Sequence, residues 1–157
     1  MKTSNSKTKA FAFLGTAFVL FIALLFTGCS NAASGNTSTG IIEGVWETVS
    51  IKEDNDTSQF PQKQGDGSIM HLYSCFSEGK LYEVRAIEGS SKPTQNGIFK
   101  LASWELNYTY ANGILRLPMG QAPFTITGNT ATLTGPAFTI KYKRVSSPTV
   151  EQIKAAK

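Results

Sequence analysis

A chain of 157 residues, 41% hydrophobic and 17% charged, suffices for one domain with its own core and is short for two. Three of its 15 Lys and Arg are Lys2, Lys7 and Lys9, which leaves 12 against 11 Asp and Glu in the rest of the chain, so three of the formal +4 belong to the amino terminus. That near-neutral body excludes the broad basic surface of nucleic-acid recognition, and its one dense positive cluster, Lys141, Lys143 and Arg144, fits a solvated or edge-guarding strand.

The first element in chain order is a leader over residues 1–28. After the three lysines a charge-free apolar run extends from Phe11 to Phe26, and the small residues Thr27 and Gly28 directly precede Cys29, which is the layout of a signal peptide. The segment Leu25, Phe26, Thr27, Gly28, Cys29 resembles the lipobox of bacterial lipoproteins, with Phe26 where an aliphatic residue is usual. The resemblance implies cleavage before Cys29, a diacylglycerol on its thiol and a further acyl chain such as palmitate on the new amino terminus. Each buried methylene contributes roughly 0.8 kcal/mol and a single chain holds only marginally, so two or three make a stable anchor. The expected location is the bacterial cell envelope, lipid-anchored to a membrane, with the domain outside the cytoplasm; the outer membrane and the cell surface both stay open, as does the leaflet. The alternative is an uncleaved helix over Ala10–Gly28, nearly long enough to span a bilayer. Against it, no Lys or Arg follows the run until Lys52. Residues 29–40 read as the lipidated cysteine and a flexible tether, since everything after Cys29 there is small or polar and uncharged.

The body, residues 41–145, shows short runs rich in Val, Ile, Thr, Tyr and Phe. Strands are predicted over 42–51, 68–77, 80–88, 97–102, 104–110, 113–117, 122–127, 130–134 and 137–145. Glu78-Gly79, Asn112-Gly113, Gly128-Asn129 and Gly135-Pro136 are turn signals, several of them supplying residues that tolerate positive φ. Tight hairpins between neighbours give an antiparallel meander, and eight or nine strands are most readily satisfied by an all-β, up-and-down barrel that leaves no exposed edges. Alternation places Trp104, Leu106, Tyr108 and Tyr110 on one face, expected to point inward, as with Phe124 and Ile126, Ala131 and Leu133, and Phe138, Ile140 and Tyr142. In the first strand Val45, Val49 and Ile51 oppose Trp46, which calls for a bulge or a sandwich-like opening. The polar segment Glu53–Asp66 is expected to be a strandless, mobile loop over one barrel opening, and Gly89–Asn96 a second, exposed loop. Residues 146–157 are a tail, with a helical turn near Val150–Ala155.

Gly44, Val45, Trp46 at the first strand and Tyr142, Lys143, Arg144, Val145 at the last resemble the ends of the lipocalin-like barrels found among bacterial lipoproteins. The resemblance implies a lipocalin-like barrel closed at one end by Trp46 and Arg144. Arg144 shares a face with Phe138, Ile140 and Tyr142, so its charge can lie over the indole, a contact contributing roughly 0.5–2 kcal/mol. Ordinary core for Trp46 and ordinary surface for Arg144 is the competing reading.

Catalytic and metal motifs are missing. His71 is the single histidine and is expected to be solvent-facing or satisfied rather than a base or ligand. The acidic stretch Asp54–Ser58 fails as a calcium loop because Gln59 stands where a glycine is required and Gly65 where the bidentate Glu belongs. With Cys29 committed to lipid, Cys75 is unpaired and expected to be a small buried hydrophobe. No enzyme, cofactor or metal is therefore expected. Two functions stay open: binding of a small hydrophobic or amphipathic ligand in a cavity lined by Trp104, Leu106, Tyr108, Phe124, Phe138 and Tyr142, or a filled barrel whose loops bind another protein or a surface.

Overall fold

The computed structural model describes residues 41–157; the leader, the tether and Cys29 lie outside the described residues. The strands are β1 (Gly44–Glu53), β2 (Asp56–Gln59), β3 (Gln62–Lys63), β4 (Ile69–Ser77), β5 (Lys80–Glu88), β6 (Gly97–Asn107), β7 (Thr109–Ala111), β8 (Ile114–Leu117), β9 (Gly120–Thr127), β10 (Thr130–Thr134) and β11 (Phe138–Val145). A 3-10 turn at Pro93–Gln95 and a short helix α1 (Val150–Lys154) complete the described secondary structure. The main sheet runs β6-β5-β4-β1-β11-β10-β9-β8-β7 with antiparallel pairing throughout. Its two end strands, β6 and β7, follow one another in the chain through Tyr108, and the sheet curls into a nearly closed barrel. The turns expected at Glu78-Gly79 and Asn112-Gly113 have positive φ at both residues, 54° and 73°, and 53° and 74°.

A bulge resolves the conflict in the first strand. Thr48 pairs with Tyr142 and Ser50 with Lys141, so Val49 is an extra residue that switches the faces of β1. Before it Trp46 and Thr48 face the interior and Val45 and Glu47 face out; after it Ile51, opposite Ile140, faces the interior.

Two expectations are corrected. The segment Glu53–Asp66 is ordered, not a strandless loop: the chain turns at Asp54, which has φ 47°, β2 folds back on β1, and β3 pairs with β4. Between them Phe60 donates its N–H to the Val49 carbonyl and buries its ring in the barrel core. The runs 97–102 and 104–110 are one long strand, β6, followed by the short β7, with an irregularity in β6 at residues 101–104 opposite Glu83.

The tail is structural. Outside the barrel wall Val45, Tyr73, Cys75, Tyr82 and Val84 form a second core, covered by Ile153 and Ala156, of which Ile153 is fully buried. Thr149 caps α1 by accepting from Gln152 N while the Gln152 side chain accepts from Thr149 N. Lys157 then pairs its backbone with Ile98 and Lys100 on the edge of β6. Among the described residues no helix is long and apolar enough to cross a membrane.

Candidate functional site

One end of the barrel is shut by the segment Ile41–Glu43 that leads into β1. Arg144 donates to the carbonyls of Ile41 and Glu43, Trp46 Nε1 donates to the Ile42 carbonyl at 2.8 Å, and the Tyr108 hydroxyl donates to Glu43 Oε1 at 2.6 Å. The guanidinium of Arg144 also lies 4.1 Å from the centre of the indole ring, and Ile42 is buried beneath. Gly44 is required here for two reasons. Its φ is +119°, and a Cβ would sit 2.8 Å from Arg144 Nη1. Gly44→Ala is expected to destabilise the fold by about 1–3 kcal/mol, read as a lower urea midpoint at unchanged slope.

Above that floor the interior is filled with rings. Phe124, fully buried, meets Trp46 at 6.0 Å, Phe76 at 5.6 Å, Tyr110 at 6.0 Å and Tyr142 at 5.8 Å between ring centres. Tyr108 stacks edge-on against Phe76 at 5.0 Å, and Leu106 packs against the same core. Of the residues expected to line a cavity, then, Leu106, Tyr108, Phe124 and Tyr142 belong to this packed core. Phe138 joins it and also borders a smaller cleft of about 200 Å³ beside Lys52, Asp54 and Gly135. Trp104 is not among them. The irregularity in β6 turns it to the outer face, where it packs on Tyr82 at 5.1 Å and under Lys100 Nζ at 4.8 Å.

A polar group is set into the same interior. Glu83, on β5 opposite Ser74, is 4% exposed and accepts from Ser103 Oγ at 2.5 Å. Ser74 bonds to both Glu83 and Tyr142. Burial pushes the Glu83 carboxyl up to about 7 against the pull of these two hydroxyls. Burial, with the Glu83 charge adding to it, holds the Tyr142 phenol far above its ordinary range. Thr48 Oγ1, buried on the strand beside Tyr142, has no hydrogen-bond partner among the described residues.

The other end of the barrel opens into a cavity of about 400 Å³. Gln64, Gly65, Asp66 and Ser68 form one wall, Thr94 and Gln95 another, and Arg85, Ile87 and Phe99 come from β5 and β6. The two loops around it are tied together. Asp66 Oδ1 accepts from Ser68 N and Ser68 Oγ, while Ser90 Oγ lies 3.2 Å from Asp66 Oδ2 and 3.1 Å from Gln95 Oε1. These bonds hold the Asp66 carboxyl below the usual carboxylate range, the Ser68 hydroxyl contributing most. Asn96 and Ser90 exchange a pair of side-chain-to-backbone bonds that close the Gly89–Asn96 loop. Arg85, Ile87 and Phe99 did not figure among the expected lining residues. The available signal was that Leu81, Glu83, Arg85 and Ile87 share one face of their strand.

Outside the barrel, His71 Nδ1 donates to Glu47 Oε1 at 2.6 Å, its Nε2 faces Glu88 Oε1 at 3.4 Å, and Lys143 Nζ meets Glu47 Oε2 at 2.9 Å. The histidine is thus satisfied and lies flat against Tyr73. Cys75 is fully buried in the second core, and burial pushes its thiol up to about 11. Among the described residues no group of three or more His, Cys, Asp or Glu side chains is placed to hold a metal ion. Comparison of the chain with protein-family models, with curated proteins and with solved structures yields no match.

Proposed function

We propose that this protein is a lipid-anchored lipoprotein of the bacterial envelope whose lipocalin-like barrel binds a small amphipathic molecule at its open mouth. The observation that carries the reading is the cavity of about 400 Å³ under the tied loops, a volume within the roughly 300–1,000 Å³ range of small-molecule sites. Its lining combines apolar Ile87 and Phe99 with Arg85, Gln64, Ser68 and Thr94, which suits a ligand with one apolar and one polar part. The anchor rests on the leader and on Cys29 in the sequence, and Ile41, the first described residue, lies at the shut end of the barrel.

Native mass spectrometry of the full-length protein extracted from its own membranes tests both parts. A discrete extra mass lost on denaturation is expected in the wild type and absent from Ile87→Trp, whose larger side chain intrudes on the apolar part of the cavity. The amino-terminal peptide is expected to carry the lipid on Cys29. Retention of the extra mass in Ile87→Trp would move the ligand away from the mouth, and an unmodified Cys29 peptide would overturn the anchor.

A further inference from the structure

Arg85 is an exposed arginine at the rim of the mouth cavity. It stands on the inner wall of the barrel, in register with Leu72 on β4 and Phe99 on β6. Arg85 forms no ion pair or hydrogen bond among the described residues; its guanidinium carbon lies 5.9 Å from the centre of the Phe99 ring. The one carboxylate in the cavity wall, Asp66, accepts from Ser68 and Ser90 and not from Arg85; these bonds hold it ionised. Two residues further into the barrel, Glu83 is held by Ser103 and Ser74. The cation is therefore exposed to the cavity with its five donors uncommitted, and its stem lies beside apolar Ile87 and Phe99.

Resting on the ligand-binding reading above, we infer that the mouth cavity selects amphipathic anions: Arg85 forks onto a carboxylate or phosphate head group while the apolar part of the same molecule lies against Ile87 and Phe99. A guanidinium matches both oxyanions in bidentate geometry, and a charge-assisted pair of this kind outweighs a neutral hydrogen bond about twofold. Discrimination comes from the head group, because an uncharged analogue leaves the cation without its partner while making the same apolar contacts.

The test uses full-length protein in lipid nanodiscs, with empty nanodiscs subtracted, and titrates four probes: 4-phenylbutyrate, 4-phenylbutyl phosphate, 4-phenylbutanol and inorganic phosphate. The two amphipathic anions are expected to bind at least about tenfold more tightly than the alcohol and than inorganic phosphate. Arg85→Gln is expected to remove the preference over the alcohol by weakening the two amphipathic anions at least about tenfold. Equal affinity for the alcohol and the acid, or a preference that survives in Arg85→Gln, overturns the inference and leaves the mouth as a binding site. Inorganic phosphate binding as tightly as phenylbutyl phosphate also overturns it, in favour of a free oxyanion. Failure of all four probes, with Arg85→Gln indistinguishable from wild type, removes the site together with the inference.

Discussion

Phe124→Ala is expected to lower the unfolding free energy by about 3–5 kcal/mol, the upper range for losing a buried aromatic. The side chain is fully buried and meets four other rings, from β1, β4, β7 and β11, so no neighbouring element can relax into the space without breaking its own ladder. Each edge-to-face or tilted contact adds about 0.5–1.5 kcal/mol beyond area burial, which is why Phe124→Leu, keeping most of the volume, is still expected to cost measurable stability. Urea denaturation followed by far-UV circular dichroism reads the difference. The outcome also separates two uses of the same residue. A phenylalanine lining an empty cavity would be replaceable by alanine at a cost near the simple transfer term, and a loss under about 1.5 kcal/mol would mean that the interior is hollow where the rings meet.

How legible this was in the sequence depended on whether one face of a strand meets water. Strands β9, β10 and β11 alternate, with Phe124, Ile126, Ala131, Phe138, Ile140 and Tyr142 inward and exposed or half-buried residues between them, so their facing followed from the pattern and their bounds to within two residues. Around β1, β4, β5 and β6 the outer face is covered by α1, and Val45, Tyr73, Tyr82 and Val84 are as buried as the residues inside. Alternation then has no sign, and Trp104 could be assigned inward although it packs outside. Bulges added to the difficulty: the extra Val49 and the irregularity at residues 101–104 both depend on pairing partners far away in the chain. The mouth was hidden for a related reason. Its wall comes from segments 64–68 and 94–95, whose polar letters read as loop, and only the contacts of Ser90 with Asp66 and Gln95 show that they are held together. The shut end was easier, because Gly44, Trp46 and Arg144 carry it within the strand ends themselves.

Stability is expected to fall as pH rises from about 4.5 to about 7, and the source is Glu83. Burial raises its carboxyl from 4.5 to about 7 in the folded protein, while in the unfolded chain it ionises near the ordinary value. Below about 4.5 the group is protonated in both states and costs nothing. Between the two values the folded state keeps a proton that the unfolded chain has released, so unfolding becomes easier as pH rises; above about 7 both states are ionised and the full cost stands. A shift of this size corresponds to up to about 3 kcal/mol. Glu83→Gln retains the shape of the protonated acid and removes the charge, so it is expected to match wild type near pH 4.5 and to be more stable by up to about 3 kcal/mol at pH 8. Ser103→Ala acts in the opposite direction, since it deletes the hydroxyl that donates to the carboxylate at 2.5 Å and leaves the ionised form with less support. Urea midpoints of the three proteins across pH 4.5–8 decide the matter, and a difference between Glu83→Gln and wild type that stays constant over that range would rule out a titrating Glu83 as its cause. A carboxyl that is about half protonated at pH 7 has a consequence for the mouth as well: with Glu83 carrying only part of its charge, Arg85 is the one full charge among the inward-facing residues of β5.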